Sequence, residues 1–197
     1  AATVLYQGAE WGSGSIDVRF GMRDNPRGNA NSTPTGYYVR KYIPESILSV
    51  EHSGTAYRLW TIIRYAEIMM NYAEAMNEVN GPCDEVYSML DQIRERAGIS
   101  GSVANRTDLN TKDKMRNFIH KERTIEFVFE EHRVWDVRRW NVATEALSRD
   151  IYGVNVAKNG AITRKVAQKR VFEDKMYLYP IPEGEYWKTN IENNPGW

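Results

Sequence analysis

The sequence contains a single cysteine, Cys83, so no disulfide can close within its 197 residues and no multi-cysteine metal site can be assembled. It contains no apolar run of 18 residues, the length needed for a helix to cross a bilayer. It has no excess of charge: 26 Lys and Arg balance 26 Asp and Glu. No basic stripe stands out as a footprint for phosphate backbones, and nucleic acid is not expected as a partner. The opening "AATVLYQGAE" has no initiator Met, no charged n-region and no apolar h-region. It therefore reads as a processed or excised piece, with any signal or anchor upstream.

What is present suits a globular chain. Hydrophobic residues make up 42%, enough for one substantial domain or two small ones. Residues 1–57 are rich in Gly, Asn, Ser, Thr and Pro, as in "NPRGNANSTPTG", with one short strand expected at "YYVRKYI". This segment also carries Tyr6, Trp11, Phe20, Tyr37, Tyr38 and Tyr42. Such rings either pin loops onto a core or offer a platform to a ligand.

From Leu59 the pattern changes, and Ile62, Ala66, Met69, Ala73 and Met76 recur at spacings of three and four. That is one stripe of an amphipathic helix, expected to stop at Asn80-Gly81-Pro82. Val86, Met89, Leu90, Ile93 and Ala97 form a second stripe, closed by Gly98. The tight turn makes the two helices antiparallel, a hairpin of the tetratricopeptide sort. A third helix is expected from Thr111 through Trp140, then a two-residue hairpin turn at Asn159-Gly160 and an extended, proline-rich tail whose aromatics pack down.

The stretch "ERTIEFVFEEHRVWDVRRW" mixes acids into an apolar pattern. Projected as one helix over Met115–Trp140 at 100° per residue, Met115, Phe118, Ile125, Phe129 and Trp140 share a face with Glu122, Glu126, Arg133 and Asp136, while Arg123, Phe127, Glu131 and Arg138 face away; a break near His132 would shift the later members. Acids in an apolar stripe must meet cations, and Arg94, Arg96 and Arg139 are the expected partners. A hydrolase using Glu122 and Glu126 is the catalytic alternative, but acids one turn apart beside phenylalanines make a poor cleft wall. Metal ligation would need Glu-x-x-His pairs, which neither His120 nor His132 completes, so no metal site is expected. No catalytic residue and no cofactor are assigned.

The segments "YAEIMMNYAEAMNEV", "LDQIRERAG", "FIHKERTIEFVFEEHRVWDVRRW" and "YLYPIPEGE…NNPGW" occur in that order over residues 58–197. Together they resemble the C-terminal part of the SusD/RagB family of surface nutrient-binding lipoproteins; "DVRF" and "YYVRKYI" resemble it less distinctively. "EEHR" at Glu130–Arg133 stands where the family more often has Glu-Gly-x-Arg, and "NNPGW" replaces a Gln-Asn-Pro-Gly-Tyr ending. Neither departure is expected to alter the fold.

The resemblance implies a mostly α, SusD-like fold: tetratricopeptide-like helix hairpins with a loop-rich region and few short strands. It implies a non-enzymatic protein that binds glycans or other nutrients at the cell surface and delivers them to a SusC-like TonB-dependent outer-membrane transporter. Membrane attachment would come only through an upstream lipid anchor. A helical-repeat scaffold that binds other proteins is the rival from a different class. On this reading residues 58–197 form the helical scaffold and 1–57 the variable, ligand-binding part. Within the latter, Trp11, flanked by Gly8, Gly12 and Gly14, is the first candidate for stacking on a sugar, with Tyr6 second. The bland alternative for Trp11 is a ring buried against the core.

Overall fold

The computed structural model describes residues 3–27, 32–45 and 60–197. Among these the structure is mostly helical with short strands. By their contacts the residues form two compact units, 59–133 and 1–58 together with 134–197. A boundary after residue 57 falls outside the described residues. The contacts do not keep 58–197 together: they group residues from 134 onward with the loop-rich segment.

Unit 59–133 is built on three helices, α1 (Tyr65–Asn80), α2 (Asp84–Arg96) and α3 (Lys112–Glu126). Leu59 lies outside the described residues, and Ile62, assigned to the first stripe, precedes α1 and is 83% exposed. The rest of the stripe holds: Met69 and Ala73 are buried, with Ala66 and Met76 packed at the margin. Gly81, at φ 75°, ends α1 in a conformation that L side chains resist. Cys83 then begins α2 as its N-cap. At the other end of α2 the Ile99 amide donates to the Arg94 carbonyl and the Gly98 amide to that of Glu95, a Schellman closure that satisfies two otherwise orphaned carbonyls. Ala97 sits in this cap and is exposed, outside the buried stripe.

Thr111 caps α3, its Oγ1 accepting from the Lys114 amide at 3.3 Å. The expected continuous helix to Trp140 does not form. α3 ends at Glu126, and α4 (His132–Arg139) starts after a turn in which Phe129 and Glu131 take φ of 63° and 65°. The buried row is Met115, Ile119 and Arg123, spaced by four, continued by Phe127 in the turn. Arg123 and Phe127 thus face inward, whereas Ile125 is 60% exposed, the reverse of the projection. The row facing α1 is set by Met115 and Ile119, and a continuous-helix projection centred on Phe118, Ile125 and Phe129 lies too far round the helix.

In the other unit β1 (Val4–Leu5) pairs antiparallel with β4 (Tyr38–Val39), confirming the strand in "YYVRKYI". β2 (Glu10–Trp11) and β3 (Gly14–Ser15) form a tight hairpin through Gly12 and Ser13, with Gly12 at φ 59°. After α4 come α5 (Ala143–Leu147), the longer hairpin of β5 (Ile151–Val156) and β6 (Ile162–Gln168), and α6 (Glu183–Thr189) within the tail. The β5–β6 turn has three residues where two were expected. The Ala157 amide donates to the Ala161 carbonyl, leaving Lys158, Asn159 and a positive-φ Gly160 as the loop.

The Phe20 amide donates to the Val156 carbonyl, so the N-terminal segment is bonded to β5. Leu5, Ala9, Ile16, Val18 and Val156 form their shared core. A second cluster gathers Val137, Ala143 and Phe172. The tail is pinned at its end, where the Trp197 indole donates to the carbonyls of Lys175 and Leu178.

Candidate functional site

The glycine-flanked Trp11 lines an open groove of about 390 Å³ with Leu5, Ile16, Arg23, Asp24 and Tyr38. The ring does not stand clear of the fold. It is half-buried and packs on the core of Leu5, Ile16 and Val18, which holds it at a fixed angle in the groove wall. Directly opposite it in the hairpin is Gly14, so no cross-strand side chain covers it there. Burial on one side and a concave opening on the other join the two expectations for this ring.

Polar groups surround it. Arg23 donates from Nε and Nη2 to the two Asp24 carboxylate oxygens at 3.0 and 3.1 Å, and this fork raises the arginine's pKa above its ordinary value. The Asp24 carboxylate also accepts from the Asp17 amide at 2.8 Å, and the Tyr38 hydroxyl donates to the Asp24 carbonyl at 2.7 Å. Close by in sequence, Arg19 donates from Nε and Nη2 to both oxygens of Asp17, at 2.9 and 2.5 Å. Those hydrogen bonds hold the Asp17 carboxyl at a pKa of about 2. The segment beneath the groove is therefore stapled by charge-assisted bonds.

Tyr6 is 45% exposed and is not among the groove's lining residues, so the structure does not bring the two candidate rings together. Phe20 is also half exposed, whereas Tyr38 is partly buried and pins its loop through its hydroxyl. Tyr38 was one of six rings noted in this segment, but Arg23 and Asp24 were missed as groove residues; the hint for them was their adjacent opposite charges.

The acids of the charged stretch are held as structure. Glu122 accepts from Arg94 at 3.1 Å, and Glu126 accepts from Arg64 at 2.6 Å and also pairs with Arg96. Arg94 and Arg96 are partners the sequence suggested. Arg64 was not foreseen, yet it is the hub: it also grips Glu130 with Nε and Nη2 at 2.7 and 2.9 Å and lies over the Phe127 ring at 4.8 Å. Burial opposes its charge, but Glu130 and Glu126 outweigh burial and raise its pKa. Arg139, the third partner the sequence suggested, pairs with Asp136, within the other unit. A general acid or nucleophile needs a carboxylate free to meet substrate. Glu122 and Glu126 are engaged by guanidinium groups, and neither lines the Trp11 groove.

Comparisons with known proteins bear on the fold and the family. "SusD-like protein P2" of Formosa agariphila is 29% identical over 165 residues, covering 81% of this chain and 30% of that protein. "SusD-like protein P38" of the same organism is 33% identical over 90 residues, 44% of this chain and 18% of the relative. Among solved structures, a SusD-like protein from Bacteroides fragilis superposes with a TM-score of 0.85 at 29% identity, covering 100% of this chain and 38% of its own. A SusD homologue from Bacteroides thetaiotaomicron, at 22% identity and a TM-score of 0.52 over 82% of this chain and 32% of its own, shares the fold. The chain thus spans about a third of the length of these relatives. A sequence model of the SusD family matches residues 1–197, and the chain belongs to that family.

Proposed function

We propose that this protein binds glycans at the bacterial surface without altering them and passes them to a SusC-like, TonB-dependent outer-membrane transporter. Family membership along the whole chain is the observation that carries the reading. Support from the fold is local: a fixed indole in an open groove with hydrogen-bonding neighbours has the composition of a sugar-stacking site. Trp11 is the residue we assign to stacking, with Arg23, Asp24 and Tyr38 beside it. Tyr6 would contribute only to a ligand long enough to extend beyond the groove. The outer-membrane location and lipid anchor belong to the same proposal.

The test is binding to a panel of polysaccharides by affinity electrophoresis, with Trp11→Ala alongside and reducing ends assayed in every mixture. Retardation by at least one glycan, lost in the variant and without sugar release, is expected. Sugar release abolished by Glu122→Gln, with folding intact, would replace binding by hydrolysis.

One observation favours a second reading, a scaffold for another protein. On α1 Tyr65, Ile68 and Tyr72 are 73%, 52% and 45% exposed, and with Met69 and Met89 they line a groove of about 560 Å³. Rings and aliphatics at spacings of three and four suit an apposed helix. Loss of all glycan binding with transporter binding retained would favour it.

A further inference from the structure

A second groove in the same unit as Trp11 has a different chemistry. It encloses about 360 Å³ between the segment Phe20–Arg27 and the β5–β6 hairpin. Phe20 offers an aromatic ring that is 50% exposed, with the Lys158 ammonium 5.9 Å from its centroid. Arg27 and Lys158 are both exposed lining residues, and among the described residues the lining holds no carboxylate. Asn155 and Thr163, paired across the hairpin, add an amide and a hydroxyl.

The charge here is not accidental to one side chain. Residues 151–172 carry Lys158, Arg164, Lys165, Lys169 and Arg170 and not one Asp or Glu, in a chain whose charges balance overall. The loop bearing Arg27 is held by Asn25, a buried side chain that donates to the Val18 carbonyl at 2.7 Å and accepts from the Arg27 amide at 2.8 Å. Asn25 is thus a positioning residue, and Arg27 projects from a braced turn.

We propose that this groove binds an acidic saccharide, a sugar unit carrying a carboxylate or a sulfate, with Phe20 under the ring and Arg27 and Lys158 on the anion. The proposal rests on the glycan-binding reading and narrows it to charged glycans. Cations without carboxylate partners favour an anion, and an exposed aromatic face beside an amide and a hydroxyl selects a ring-shaped polyol over a simple ion.

The experiment is isothermal titration with polygalacturonate, dextran sulfate, uncharged dextran and duplex DNA. Parent, Arg27→Ala, Lys158→Ala and Phe20→Ala proteins are compared, with melting curves run for each. Polygalacturonate or dextran sulfate should bind, and each cation variant should weaken that binding by roughly tenfold or more, the range for hydrogen bonds to charged groups. Added salt should weaken it further. Phe20→Ala should lose the saccharide without losing its fold. Acidic glycans bound equally by parent and both cation variants would overturn the assignment. So would DNA bound as tightly as either glycan with Phe20→Ala unaffected, which would mark a nonspecific basic patch. Binding of uncharged glycans alone, or of none of these three while another member of the polysaccharide panel binds, would remove this inference and leave the glycan reading standing, whereas no binding by any saccharide of the panel would remove both.

Discussion

Replacing Arg64 with Ala removes the hub of the ionic network in the helical unit. The guanidinium makes two bonds to Glu130, at 2.7 and 2.9 Å, one to the Glu126 carboxylate at 2.6 Å and one to the Glu126 carbonyl at 3.1 Å. The side chains are 24%, 5% and 12% exposed for Arg64, Glu130 and Glu126. Removing one partner of a buried ion pair costs about 3–5 kcal/mol, because the remaining charge is left without its counterion. Glu130, the least exposed of the three, makes the upper half of that range apt, and the water that reaches Arg64 pulls it down. Glu126→Ala should cost less, about 1–3 kcal/mol, since Arg64 keeps its fork on Glu130. Arg64→Lys should fall between, because an ammonium cannot make the two-pronged contact. Urea unfolding followed by circular dichroism at 222 nm measures all three, and the Arg64→Ala melting temperature should fall by roughly 6–20 °C. An Arg64→Ala protein within about 0.5 kcal/mol of the parent would refute the reasoning, since that is the range of an ordinary surface substitution.

Glu131→Gly should stabilise the protein by about 0.5–1 kcal/mol: relief of the left-handed backbone at φ 65° is offset in part by the greater freedom of glycine in the unfolded chain. A lowered midpoint in urea would show that the glutamate side chain matters more than its backbone. Gly153→Ala should lose about 1–3 kcal/mol or more, because a Cβ there would stand 2.6 Å from the Thr35 backbone; an unchanged melting curve would contradict that crossing. With its pKa lowered to about 2, Asp17 favours the folded state above the unfolded value of about 3.9, and that contribution is lost as pH falls through about 2. A carboxyl carbon titration by NMR should show a midpoint near 2, and a midpoint near 3.9 would mean the Arg19 clamp is open in solution.

Much of the helical unit was legible because its rules are local. Spacings of three and four located the stripes of α1 and α2, and Gly81 and Gly98 ended them by conformations only glycine takes easily. A break near His132 was open on the sequence, but its place after Glu126 was hidden because neither Phe129 nor Glu131 is a residue that normally takes positive φ. One clue was the family's preference for Gly at the position of Glu131. Its departure there leaves the turn intact, with an ordinary residue in a glycine conformation. Arg64 was invisible as a hub since its partners, Glu126 and Glu130, lie 62 and 66 residues away and no local pattern links them. The groove was the least legible part. Trp11 could be nominated from its glycines, but Arg23, Asp24 and Tyr38 reach it only through the pairing of β1 with β4 and the hydrogen bond from Tyr38 to Asp24.

The central claim is that the protein binds a glycan at a fixed indole and leaves it intact. Its most direct test is calorimetric titration of the best-retained oligosaccharide into the parent and into Trp11→Ala, with the sugar recovered and sized afterwards. Affinity at least about tenfold weaker in the variant, with the recovered sugar unshortened, is the predicted result. Equal affinity in a folded Trp11→Ala protein, or a shortened sugar, would contradict it.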